Sequence, residues 1–150
     1  MALDQLYQQV ILEHNRNPRN YGRLADATHA ERGHDALCGD DILVELEVAN
    51  GRIIRAGFSG EACAVTKASA SMLTEWLKGR TPDEVVRGFH QFSELLSGRD
   101  DGNHPELGDL VHLHAVSRFP ARVRNAQLPW KTTIRALNAG DGSDMVTSGT

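Results

Sequence analysis

Apolar and polar positions alternate most cleanly between residues 42 and 58. Ile42, Val44, Leu46 and Val48 occupy every second position with mostly polar neighbours, the period of a strand with one buried face. Asn50-Gly51 follows at once, and because both residues tolerate positive φ the pair predicts a type I′ hairpin turn. The return strand is expected from about Arg52 to Phe58, ended by Ser59-Gly60. On either side the period becomes helical. Leu3, Leu6, Tyr7, Val10, Ile11 and His14 share one helical face, predicting an amphipathic helix over residues 3–15 that Asn17-Pro18-Arg19-Asn20-Tyr21-Gly22 terminates. The polar stretch from there to Asp35 reads as a loop or an irregular edge strand.

After the hairpin, Cys63 to Lys78 reads as a helix. Val65, Met72, Leu73, Trp76 and Leu77 face a core, and Ala64, Ala68, Ser69, Ala70 and Ser71 permit close packing. Thr81-Pro82-Asp83-Glu84 is a capping box with proline in the first helical position. Val85, Val86, Phe89, Phe92, Leu95 and Leu96 mark the helix it opens, which Gly98 closes. Arg99 to Pro105 is a polar loop with a turn at Asp100-Asp101-Gly102, and Leu107 to Val116 is a short helix or an extended piece. The last helix is expected from Pro120 to about Asn138, with Val123, Leu128, Ile134 and Leu137 as its apolar positions. Pro129 lacks the amide that would bond the carbonyl of Asn125, so the helix should loosen or bend near Asn125. Residues 139–150, rich in glycine, serine and aspartate, are expected to form a disordered tail.

The length of 150 residues fits one domain, placed at 1–138, with a sizeable core. The net charge of −4, with acids and bases mixed, argues against a nucleic-acid binder held by phosphate contacts. No apolar run reaches membrane-spanning length and the N-terminus lacks a signal-peptide core, so the expected compartment is the cytoplasm, without a membrane partner. Two cysteines can make one disulfide, but a domain of this size does not need it.

The cysteines carry the candidate chemistry. Cys38-Gly39-Asp40 precedes the alternating strand, and Gly60-Glu61-Ala62-Cys63 precedes the small-residue helix. In an extended segment, residues two apart point to one side, so Cys38 and Asp40 can converge on one ion. Cys63 at a helix start feels the positive end of the dipole, which favours the thiolate. Thiolate and carboxylate together suit zinc or ferrous iron better than magnesium. The plainer readings stand beside these: each cysteine as a small buried apolar residue, Asp40 as a turn residue, Asp40-Asp41 as a solvated acidic pair. His14, His29, His34, His90, His104, His112 and His114 read as surface or packing residues. His112 and His114 can chelate together only on a strand. There is no glycine-rich phosphate loop and no serine–histidine–acid set in recognisable context.

Several separate phrases, in order, resemble the iron–sulfur cluster assembly scaffolds of the IscU, SufU and NifU N-terminal type. They are Leu6-Tyr7 through Asn17-Pro18-Arg19-Asn20, Cys38-Gly39-Asp40, Phe58-Ser59-Gly60-Glu61-Ala62-Cys63, Ala68-Ser69-Ala70-Ser71-Met72, and Phe119-Pro120-Ala121-Arg122-Val123-Arg124. The likeness covers nearly all of residues 3–138. The long stretch between Cys63 and position 125, with Leu107-Gly108-Asp109 inside it, looks like the SufU branch, and Arg124 stands where IscU has a histidine.

The resemblance implies an α/β (α+β) fold, SufE/NifU-like, with a small, mainly antiparallel sheet and helices on one face. It implies a zinc site at one exposed end and sulfur taken as persulfide from a cysteine desulfurase of the SufS type. Carried over, Cys38 is the sulfur acceptor and a metal ligand, and Asp40 and Cys63 are metal ligands. The third cysteine falls at Asn125. Two further departures accompany that one: Ala62 stands where the family usually has glycine, so positive φ there would be strained, and Asp35-Ala36 replaces an Asn-Pro.

The expected function is therefore a SufU-type assembly protein that accepts sulfur or scaffolds a transient iron–sulfur cluster, an acceptor rather than a turnover enzyme. Its metal site is incomplete, with zinc held weakly or not at all. The rival expectation is a non-catalytic paralogue that docks on the desulfurase or another assembly factor. A plain metal-binding module, completed by His34 or water, is the third.

Overall fold

The computed structural model describes residues 2–98 and 103–139. The expected tail lies outside them, except Ala139, as does the Asp100-Asp101-Gly102 turn.

The alternating segment becomes the central strand β2 (Asp40–Ala49), paired antiparallel with β3 (Arg52–Glu61) through the expected turn. Asn50 and Gly51 take φ of 54° and 77°, the two positive values a type I′ turn requires. The polar stretch before Asp35 ends in a third strand, β1 (His29–Asp35), at the other edge of β2, giving the order β1-β2-β3. Its sequence shows no apolar alternation because much of it is exposed, with Gly33 its buried position.

β3 runs past Phe58 to Glu61, correcting the expected stop at Ser59-Gly60. Gly60 stays paired opposite Ile42 with φ of 110°, and a Cβ there would collide with the Asp41 carbonyl. Only glycine lets the strand continue at this point. Ala62 is not among the positive-φ residues, so the strain expected there is absent.

One face of the sheet carries the core. Ile42, Val44 and Leu46 of β2 and Ile53, Ala56 and Phe58 of β3 are buried. Against them pack α2 (Ala64–Leu77), on β3, and α4 (Pro120–Ala139), on β1 and β2. The first helix, α1 (Ala2–Arg16), lies on α2 and buries Ile11 and His14. Helix α3 (Pro82–Leu95) starts with the predicted capping box, Thr81 and Glu84 each bonding the other's backbone amide, and packs on α4. Pro105–Val116 is a 3₁₀ segment kinked at Gly108, which settles the choice between helix and extended piece.

Helix α4 departs most from expectation. Its buried stripe is Asn125, Ala126, Pro129, Trp130, Thr132, Thr133 and Ala136, whereas Val123, Leu128, Ile134 and Leu137 are only partly buried. At Thr132 the stripe is small and polar because β1 comes close: a Cβ on Gly33 would run into the Thr132 side chain. The threonine hydroxyls are satisfied within the helix, Thr132 donating to the Leu128 carbonyl (2.7 Å) and Thr133 to that of Pro129 (2.8 Å). The helix continues unbroken through Pro129. The Asn125 carbonyl, deprived of its helical donor, faces the Thr66 hydroxyl at 3.4 Å instead. No helix among the described residues is long and apolar enough to cross a membrane.

Candidate functional site

The β1–β2 connection places Cys38. Asp35 pairs with Asp40 across the strand ends, leaving Ala36 to Gly39 as the loop. The Asp35 side chain accepts from the Leu37 amide (3.0 Å), its carbonyl accepts from the Cys38 amide (3.2 Å), and Gly39 turns with φ of 74°. Cys38 is therefore held half-buried at a hairpin tip, next to Leu37, which is 85 % exposed.

Asp40 sits two residues before Ile42, and the strand's period of two sends its carboxylate into the same buried face. Burial of a charge requires donors, and three N–H or O–H donors are present beside the longer approach of the Cys63 thiol. The Cys63 amide donates to Oδ1 (2.7 Å), while the Thr66 hydroxyl (2.6 Å) and the Asn125 Nδ2 (3.1 Å) donate to Oδ2. Cys63 is the N-cap residue of α2, as expected, so the acid also lies at the positive end of that helix. The Cys63 Sγ stands 3.9 Å from Asp40 Oδ2 and 3.3 Å from the Thr66 hydroxyl.

Asn125, fully buried on α4, closes the arrangement. Its Nδ2 faces Asp40, and its Oδ1 lies 3.8 Å from Cys38 Sγ and 3.4 Å from Arg122 Nη1. The orientation follows from charge: a flipped amide would set a carbonyl oxygen against the carboxylate. Next to it, Arg124 donates from Nε to Asp35 Oδ2 at 2.7 Å and brings Nη2 to 3.9 Å from Cys38 Sγ. The guanidinium beside Asp35 holds that carboxyl below its ordinary range, and Asp35 in turn raises Arg124.

The four sequence positions singled out, Cys38, Asp40, Cys63 and Asn125, thus converge from the β1–β2 loop, the start of β2, the start of α2 and α4. His34 does not join them. It pairs with Asp41, so it lies on the sheet face opposite Asp40, and it is exposed. His112 and His114 lie in the 3₁₀ segment, not on a strand. Thr66, Arg122 and the Asp35–Arg124 pair escaped sequence reasoning. Thr66 had a signal, as a polar residue three after Cys63 on an otherwise small-residue helix.

The donor set does not fit a resident four-ligand zinc. The fourth position holds a neutral amide whose N–H₂ points at Asp40, occupying the carboxylate lone pair that a metal would use. Among the described residues, no three Cys, His, Asp or Glu side chains are grouped as a metal cage would group them.

Beside Cys38 opens a groove of about 920 Å³, lined by Ile11, Leu12, Val65, Val116, Phe119 and Arg122. Leu12 and Phe119 are 44 % and 57 % exposed.

Residues 6–126 match the family model described as NifU-like N terminal domain. The chain is 35 % identical over 142 residues to the zinc-dependent sulfurtransferase SufU of Bacillus subtilis, covering 95 % of this chain and 96 % of that protein. It is 31 % identical over 137 residues to the iron–sulfur cluster assembly scaffold protein IscU of Thermotoga maritima, covering 91 % and 96 %. Among solved structures it resembles a putative iron–sulfur cluster assembly scaffold protein for the SUF system from Fervidobacterium islandicum, with a TM-score of 0.79 at 26 % identity over 86 % of this chain and 94 % of that one.

Proposed function

The chain belongs to the NifU-like N-terminal domain family of iron–sulfur cluster assembly proteins, and we propose from that premise that it is a SufU-type sulfur acceptor. Cys38 is the acceptor, and a cysteine desulfurase of the SufS type, working in the cytoplasm, is the donor. The observation that carries this reading is the placement of Cys38: a half-buried thiol at a hairpin tip, between exposed Leu37 and an apolar groove. A thiol so placed can meet the persulfide of a docked protein, and apolar walls can hold the partner.

In the transfer, the Cys38 sulfur attacks the terminal sulfur of the donor persulfide. A Cys38 S–S bond forms, the donor S–S bond breaks, and its electron pair returns to the donor cysteine as a thiolate that takes up the proton Cys38 gives up. Nothing is oxidised or reduced overall. Cys63 supports the acceptor indirectly, through the amide that fixes Asp40 and the thiol that approaches the same carboxylate at 3.9 Å. Zinc has three of its four family ligand positions here and is held weakly at most. An iron–sulfur cluster would be cargo, and two thiols offer it a meagre ligand set, so sulfur acceptance is favoured over scaffolding.

Intact-mass measurement after incubation with a cognate desulfurase and cysteine should show one added sulfur, mapped to Cys38. Cys38→Ser should abolish the adduct and Cys63→Ser weaken it. A second reading rests on Asn125 standing in the third cysteine's place: a paralogue that docks without accepting sulfur. Co-purification with the desulfurase and no adduct would favour that reading and refute the first.

A further inference from the structure

Four of the residues around Cys38 form one connected arrangement. Asn125 bridges Asp40 and Cys38, donating to the first at 3.1 Å and accepting from the second at 3.8 Å. Arg124, the preceding residue on α4, places Nη2 at 3.9 Å from the same sulfur. Asp35, at the base of the Cys38 loop, fixes Arg124 through a 2.7 Å charge-assisted bond. A family zinc would do two things here: tie the loop of Cys38 to Asp40 and Cys63, and set a positive charge beside the acceptor sulfur. The chain does both with its own atoms. The amide supplies the tie, and the guanidinium supplies the charge. The donor set that fails to fit zinc is complete as a hydrogen-bonded site, since the buried carboxylate has all three of its donors.

We propose that this protein presents Cys38 for sulfur transfer without any metal ion, with Asn125 as the residue that positions the loop and Arg124, held by Asp35, as the cationic partner of the Cys38 persulfide. The proposal rests on the sulfur-acceptor reading above and adds that acceptance is indifferent to zinc. Arg124 touches the reacting sulfur and so acts on the transfer itself. The terminal sulfur of a new persulfide carries the negative charge, and a guanidinium beside it stabilises the product more than the starting thiol.

The test uses the full chain, stripped with a chelator, dialysed, and checked for metal content. Sulfur is offered in parallel by a desulfurase with cysteine and by glutathione persulfide, and the rate of adduct formation at Cys38 is followed by mass spectrometry. The stripped protein should accept sulfur within about twofold of the zinc-supplemented rate. Arg124→Gln should slow acceptance roughly fivefold, the effect of one unit charge about 4 Å away in a solvent-exposed setting. Arg124→Lys should recover most of the rate, which a purely structural role would not predict. Asn125→Cys should make the rate depend on zinc. Circular dichroism verifies that each variant is folded; Arg124 is exposed, so its replacement leaves the core intact. Acceptance that appears only after zinc is added overturns the proposal while leaving the acceptor reading standing. Absence of the adduct from both donors, with and without zinc, overturns the acceptor reading and the proposal with it. An unchanged rate in Arg124→Gln overturns the role of Arg124.

Discussion

Asp40 joins the Cys38 hairpin, the start of α2 and the first turns of α4, so weakening its hold should be felt in stability before chemistry. Thr66→Val is the cleanest perturbation. The side chains are nearly equal in volume, and Thr66 is completely buried while Asp40 is 2 % exposed. The change removes the 2.6 Å bond to Asp40 Oδ2, the 3.3 Å contact with Cys63 Sγ and the 3.4 Å approach to the Asn125 carbonyl, leaving the carboxylate its two amide donors and the longer thiol contact. A hydrogen bond to a charged group contributes about 1.5–3 kcal/mol, and the gained methyl offsets little because the site it enters is polar. A loss of roughly 2 kcal/mol lowers the melting temperature of a domain this size by about 4–8 °C. Urea denaturation of the wild type, Thr66→Val, Asp40→Ala and the double variant isolates the pair term. If the hydroxyl acts through the carboxylate, Thr66→Val should cost little once Asp40 is gone, with a coupling of about 1.5–3 kcal/mol. A coupling under about 0.5 kcal/mol would refute the view that Asp40 is held as a hydrogen-bonded charge.

Restoring the family ligand by Asn125→Cys should tighten zinc binding by orders of magnitude over the wild type, measured by competition with a chromophoric chelator. Equal affinities would mean that another group completes a site in the wild type. Gly33→Ala should destabilise the protein by about 1–3 kcal/mol, because the added carbon would lie 3.1 Å from Thr132 Cβ and closer still to its hydroxyl. Thr132→Ala in the same chain should recover part of that loss, and failure to do so would place the clash elsewhere. Burial lowers the His14 pKa below 6.5, opposed by its bond to Asp109, so the folded state prefers the neutral ring. Its contribution is complete above 6.5 and is lost as pH falls from there through the lowered folded value, since the unfolded chain then binds the proton more readily. Melting temperatures taken from about pH 7.5 to about pH 5.5 should fall less steeply in His14→Gln than in the wild type, and parallel curves would refute the assignment.

Local rules made much of the fold legible in the chain. The period of two at Ile42, Val44 and Leu46, the Asn50-Gly51 turn and the Thr81 capping box each act over a few residues, and each appears where the pattern put it. Cys38, Asp40, Cys63 and position 125 could be named because short phrases carry them, and the structure brings all four together. What escaped is what depends on neighbours distant in sequence. β1 has no apolar alternation because much of it is exposed at an edge, so only pairing with β2 defines it. Where Gly33 approaches α4 the buried stripe is threonine, and the apolar positions that periodicity marked pack against the core only partly buried. The strand continues through Gly60 because Asp41 and Ile42 lie against it. Above all, a sequence can place an asparagine where a cysteine is expected, but it cannot say what that asparagine does. That was decided by the tertiary structure, which buries Asp40 with too few donors of its own and sets the Asn125 amide, 85 residues away, at the distance where it can serve as one.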